Sequence, residues 1–203
     1  MSLANISYCR YLADITKPWR QEHYDVAKIV RAIKGEPFKG YADFRIGKVS
    51  QRLDPEHRQV AVDWFVDRVT TETKFSNGDH LLCPIPDSQS TRSSTCPPRT
   101  LTLAQALSKR LPALKIWDHL RFRTPMPRRV RDEELLFENL VCTAPVPLGY
   151  IILLDDVCTS GAHARAAQRR LRSHNASDMC AMSVARTMLD PSEEVFGYRS
   201  DPL

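Results

Sequence analysis

The chain has 203 residues and carries 29 Lys and Arg against 24 Asp and Glu, a formal charge of +5. That length suffices for one sizeable core with a small appendage, and the mild basic excess suits a polyanionic ligand without reaching the dense basic stripe of a dedicated nucleic-acid binder. Six cysteines at positions 9, 83, 96, 142, 158 and 180 form no CxxC pair, which argues against structural zinc and favours reduced thiols packed in apolar runs over a disulfide framework.

In chain order, the opening MSLANISYCRYLADITK holds no apolar block of signal-peptide length, and nowhere do eighteen apolar residues run together. A cytoplasmic protein without a membrane partner is expected. Val26, Ile29, Val30 and Ile33 then recur at helical spacing, with Gly35 as a stop, and predict an amphipathic helix over about 21–34. Residues from Tyr41 read as extended. A second helix is expected to open with Asp54 as N-cap and Pro55 at its first position, burying Val62, Phe65, Val66 and Val69.

Turn residues at 76–79 separate this helical part, 1–79, from a segment 80–203 in which apolar strands alternate with helices, the pattern of a parallel α/β core. His80 to Pro86 predict a buried strand. A polar stretch from Asp87 follows, and Leu103, Leu107 and Leu111 then mark a helix. Arg121, Arg123, Arg128, Arg129 and Arg131, interleaved with Pro125 and Pro127, read as a mobile basic loop. Tyr150 to Asp156 give the most strand-like run of the chain, a helix with Ala164, Ala167 and Leu171 inward opens at Gly161, and a strand near 179–186 closes the core.

The run Ile151 to His163, IILLDDVCTSGAH, combines a buried strand, two adjacent carboxylates, a hydroxyl-bearing turn with a glycine, and a helix start. Each part has a physical task. Ligands of open α/β sheets bind beyond the carboxyl ends of strands. A helix N-terminus with Thr159 and Ser160 presents N–H and hydroxyl donors to a phosphate, and Gly161 lets the backbone come close. Asp155 and Asp156 would repel that phosphate unless hydroxyl donors lie between, which predicts a sugar phosphate. The bland alternative, a strand end with one helix-capping acid, uses neither the second acid nor the Thr-Ser-Gly run.

This run resembles the binding signature for 5-phosphoribosyl-1-pyrophosphate (PRPP) of the type I phosphoribosyltransferases, matched here by Asp155, Asp156, Thr159, Ser160 and Gly161. The resemblance implies that the two acids hold the ribose hydroxyls, and that Cys158, Thr159, Ser160, Gly161, Ala162 and His163 surround the 5′-phosphate. His163 departs from the usual Thr or Ser. The loop Asp87, Ser88, Gln89, Ser90 and Arg92 stands where the family has its pyrophosphate loop, although an ordinary strand-to-helix connection is equally open. Arg128, Arg129 and Arg131 stand where it has a lid that closes over pyrophosphate, a solvated basic linker being the alternative.

From Arg92 onward the order of segments is similar to the competence-associated ComF-like branch, with Glu138 and Asn139 where that branch has Arg and Asn. The cysteine-rich zinc module that often opens such proteins is absent from residues 1–79. The implied fold is a type I phosphoribosyltransferase-like α/β core, a parallel sheet flanked by helices, with 1–79 as a helical region or hood. The implied activity is transfer of phosphoribosyl from PRPP to a nitrogen nucleophile, with magnesium bound through PRPP and no direct protein metal site. Glu138 and His163 are candidate bases. A noncatalytic PRPP sensor or DNA-processing accessory on the same fold is the competing reading. A nucleic-acid partner and a homodimer stay open.

Overall fold

The structure, a computed structural model, describes residues 3–14, 16–75, 80–94, 97–127 and 130–203. Strand β1 (Ala4–Leu12) leads to helix α1 (Gln21–Ile33), the hairpin β2 (Ala42–Ile46) and β3 (Val49–Leu53), and helix α2 (Gln59–Glu72). Strand β4 (His80–Pro84), α3 (Thr100–Arg110), β5 (Leu114–Ile116), β6 (Leu120–Phe122), α4 (Glu133–Asn139) and β7 (Leu140–Cys142) follow. The chain ends with β8 (Tyr150–Cys158), α5 (Ala162–Arg172), β9 (Met179–Met188) and β10 (Phe196–Pro202).

Six strands form the main sheet in the order β10-β1-β9-β8-β4-β5. Five run parallel and β10 alone lies antiparallel, against β1. The expected α/β class, a parallel sheet flanked by helices, is what the chain adopts. Strand β8 shows why its sequence reads as one apolar run. Ile152 and Leu154 face one core, shared with Val26 and Ile29 of α1, Phe65 of α2 and Leu107 of α3. Ile151 and Leu153 face the other, shared with Ala166 and Leu171 of α5 and Leu136 of α4. A strand covered on both faces has no polar side to alternate with.

Several expectations are corrected. The boundary at 79/80 does not divide the sheet from the rest, because β1 sits inside it, paired with β9 on one side and β10 on the other. The strand near 179–186 is therefore not the border of the core. Helix α2 starts at Gln59, not Pro55. Asp54 instead folds a turn ahead of it, Oδ1 accepting the N–H groups of Glu56 and His57 at 2.9 Å each. The basic stretch 121–131 is also not all loop, since Arg121 and Phe122 belong to β6, which pairs antiparallel with β7.

Candidate functional site

Strands β4 and β8 are parallel neighbours whose following helices leave on opposite faces. Leu103 and Leu107 of α3 enter one core and Ala166 and Leu171 of α5 the other. Between two such strands the connections diverge, and the carboxyl edge of the sheet has a crevice there. The last β4–β8 pair is Pro84 with Leu154. The next two residues of β8 are Asp155 and Asp156, so topology alone places the acids at this crevice.

The acids lie within β8 and not beyond it, since pairing with β9 continues through Cys158 and Arg186. With β4 gone, the carboxylates take up local backbone donors. The Asp156 N–H donates to Asp155 Oδ1 at 2.8 Å and the Val157 N–H to Asp156 Oδ1 at 2.6 Å. Burial and the adjacent Asp156 charge hold the Asp155 carboxyl well above the usual carboxylate range, with Lys34 opposing them. Lys34, the residue after α1, brings its Nζ to 4.0 Å from Asp156 Oδ1. Burial lowers the pKa of His163 and the Asp156 charge opposes that shift.

The turn after β8 adopts the geometry that its glycine permits. Gly161 precedes α5 with φ 77° and ψ 0°, a left-handed conformation that other residues adopt at a cost. Thr159 and Ser160 are exposed. Arg165 crosses back over the turn, its Nη1 donating to Ser160 O at 2.9 Å and its Nε to Glu133 Oε2 at 2.8 Å. Leu203 packs on the other side, so that a Cβ at position 161 would lie 2.9 Å from both Arg165 Nη1 and Leu203 Cδ2. On the β9 side of β8, a void of about 20 Å³ is bordered by Asn5, Asp155, Cys158, Gly161 and His163. That is room for a single water.

Sequence reasoning missed two residues here. Asn5 of β1 is buried, accepts from Ser183 Oγ at 3.3 Å, and leaves its Nδ2 without a hydrogen-bond partner beside the void. A buried amide donor without a partner is costly in a finished core and useful in a ligand site. Lys34 had no local signal either, since it reaches the acids only through the packing of α1 on the sheet.

The loop after β4 is fastened to β6. Phe122 N–H donates to Ser90 O at 3.0 Å, Arg92 N–H to Phe122 O at 2.8 Å, and Met126 N–H to Ser88 O at 2.9 Å. Asp87 turns the loop on itself, accepting the Gln89 N–H at 3.0 Å, and lies 3.5 Å from Arg99 Nε. The Arg92 side chain lines a separate cleft that shares no residue with the void beside Asp155. Arg131 is exposed and does not border that void. Arg128 and Arg129 lie outside the described residues. The structure thus gathers Asp155, Asp156 and 158–163 with Asn5 and Lys34, and leaves Arg92 and Arg131 apart from them.

For a magnesium ion carried by PRPP, the Asp155 and Asp156 oxygens are of the hard type it takes, but the raised Asp155 carboxyl makes a poor direct ligand, which suits an ion held through PRPP and water. Among the described residues no group of three or more His, Cys, Asp or Glu side chains is placed to hold a metal, and no helix is long and apolar enough to cross a membrane.

No protein-family model and no curated protein sequence matches the chain. Solved structures similar to it include adenine phosphoribosyltransferase from Thermoanaerobacter pseudethanolicus, 10% identical, covering 72% of this chain and 95% of that one with a TM-score of 0.43. The adenine phosphoribosyltransferase of Saccharomyces cerevisiae is 16% identical over 79% of this chain and 89% of its own, TM-score 0.39. A purine phosphoribosyltransferase from Pyrococcus horikoshii is 16% identical over 67% and 88%, TM-score 0.35. With TM-scores below 0.5, the functional reading rests on this chain's own residues.

Proposed function

We propose that the crevice between β8 and β4 binds PRPP and that the protein transfers its phosphoribosyl group to a nitrogen acceptor, releasing pyrophosphate. The observation that carries this reading is the position of Asp155 and Asp156, at the point where the two strands part and immediately ahead of a glycine-led helix start. In it, the carboxyl groups take the ribose hydroxyls and the N–H groups of 159–163 take the 5′-phosphate. Arg165, freed from Ser160, turns its guanidinium towards the same phosphate.

In the transfer, the acceptor nitrogen bonds to C1 of the ribose as the C1–O bond to pyrophosphate breaks, and positive charge develops on the ring. The negative charge shared by Asp155 and Asp156 stabilises that charge, and a crevice closed to bulk water strengthens the effect. Magnesium, when bound with PRPP, supplies neutralisation of the leaving pyrophosphate. Lys34, whose Nζ lies 4.0 Å from Asp156 Oδ1, would share that task.

The noncatalytic reading, a PRPP sensor, draws support from one observation: the Arg92 side chain lies in another cleft. Calorimetric titration with PRPP and magnesium, alongside pyrophosphate release over a panel of purine and pyrimidine bases, separates the two. Transfer predicts release with at least one base, and binding loss of about tenfold or more in Asp155→Asn/Asp156→Asn, two charge-assisted contacts being weakened. Binding without release from any base identifies a sensor. Absence of PRPP binding sinks both readings.

A further inference from the structure

The cleft that receives Arg92 has a composition of its own. Arg92, Arg123, Arg170 and His174 line it together with Cys142 and Thr143, around a volume of about 290 Å³. The side chains come from three separately anchored pieces of backbone. Arg92 is fixed by its N–H bond to Phe122 O at 2.8 Å. Arg123 is fixed by bonds of its N–H to the backbone oxygen of Asn139 at 2.9 Å and to Asn139 Oδ1 at 3.0 Å. Arg170, on α5, is clamped by donation to Phe137 O at 2.7 Å and by the Phe137 ring, whose centroid lies 4.3 Å from its guanidinium carbon.

What marks this cleft is the lack of countercharge. Arginines close by in sequence are paired: Arg121 with Asp118 at 2.7 Å, Arg165 with Glu133 at 2.8 Å and Arg169 with Glu134 at 2.8 Å. Among the described residues, Arg92, Arg123 and Arg170 have no carboxylate within the 4.0 Å range of those pairs. Arg170 also leaves its Nε buried without a hydrogen-bond partner. Like charges gathered on fixed backbones repel one another, and a guanidinium donor shut off from water without an acceptor is a further cost. The repulsion is relieved when an anion with several oxygens sits between the three forks.

We propose that this cleft is a second anion site, taking a short chain of phosphoryl groups. The class follows from the lining. A single phosphate would leave much of the volume empty. A nucleobase would find no Phe, Tyr or Trp ring to stack on among the described residues that line the cleft, and the one imidazole there, His174, stands among three cations. Arg170 lies nine residues beyond Gly161, so the cleft is about 13 Å further along α5 than the turn after β8 at 1.5 Å per residue. The proposal does not rest on the reading of Asp155 and Asp156.

The test is calorimetric titration with inorganic triphosphate at low salt, using wild type, Arg123→Gln, Arg170→Gln and Asp155→Asn/Asp156→Asn, with ATP and a short DNA duplex as comparison ligands. Wild type and the double carboxamide variant are expected to bind triphosphate equally, and Arg123→Gln about tenfold more weakly, one charge-assisted fork being removed. Arg123 is exposed, so a melting temperature within a degree or so of wild type shows that the loss is local; Arg170→Gln repeats the result on a second element. ATP is expected to bind no more tightly than triphosphate. No binding to wild type, equal binding by Arg123→Gln, loss in the carboxamide variant, a tenfold preference for ATP, or displacement of triphosphate by the duplex would each overturn the proposal.

Discussion

Lys34 Nζ stands 4.0 Å from Asp156 Oδ1, across from a strand end that carries two adjacent acids. The ammonium is three-quarters sheltered, at 24% exposed, and the carboxylate more so at 14%. This pair joins α1 to β8 at the crevice and makes residues before position 80 part of the candidate site. Lys34→Met is expected to raise the Asp155 carboxyl pKa further, because the Lys34 charge opposes that rise, and to weaken PRPP binding by about tenfold. Carbon-detected NMR titration of the aspartates with calorimetry reads both. A purely structural lysine would leave the Asp155 titration in place.

Asp155 makes stability depend on pH. Burial and Asp156 raise its carboxyl from an ordinary value of 3.8 to about 8. The folded protein therefore holds a proton that the unfolded chain gives up, so the contribution is fully present below pH 3.8 and is lost as pH rises through about 8. Asp155→Asn keeps an acceptor for the Asp156 N–H and removes the buried charge. Its melting temperature is expected to exceed that of wild type, by a margin that widens from pH 5 to pH 9 in scanning calorimetry. A variant less stable than wild type at pH 9 contradicts the assignment.

Gly161→Ala combines a left-handed backbone at φ 77° with a Cβ 2.9 Å from Arg165 Nη1 and from Leu203 Cδ2. The conformational cost alone is about 1–2 kcal/mol, which lowers the melting temperature of a chain of this size by about 2–8 °C. If the turn takes the phosphate as proposed, PRPP binding is expected to fall as well, because the added methyl crowds Arg165 and Leu203 against that turn. Thermal melts and titrations check the two effects separately, and an unchanged melting temperature would refute the strain.

Thiol labelling should sort the described cysteines by burial. Cys9, Cys83, Cys158 and Cys180 are buried and Cys142 is half-buried. Burial raises all five thiols, Cys158 to about 11, so all are slow at neutral pH. Cys142, half-buried and beside the guanidinium of Arg170, which opposes the rise, is expected to be the first of these five to react with a disulfide reagent, read by mass spectrometry. Earlier labelling at Cys83 or Cys9 would contradict the packing.

Much of the crevice was legible in the residues because its cause is local: β8 is an apolar run covered on both faces, and its acids and glycine follow within a few positions. β1 was not legible for the opposite reason. Asn5, Ser7 and Arg10 interrupt its apolar residues, although Asn5 and Ser7 are buried, and only long-range pairing with β9 reveals the strand. β10 carries Gly197 and Pro202 and alternates in exposure, as an edge strand can, so its pattern resembles a loop. The paths of Lys34 and Arg92 depend on how α1 packs and how the loop after β4 attaches to β6, and neither leaves a mark in nearby sequence.

The place of β1 also orders events during synthesis. Strand β1 pairs with β9 and β10, which are made long after it, so this sheet is completed only when both of those distant strands have emerged. Until then Tyr8, Leu12 and the faces of α1 and α2 have no finished surface to cover them, and a nascent chain of this topology is a natural client for a holding chaperone. A fragment of residues 80–203, deprived of the strand that bridges β9 and β10, is expected to lack cooperative melting by circular dichroism, and to regain it when a peptide spanning 1–79 is added.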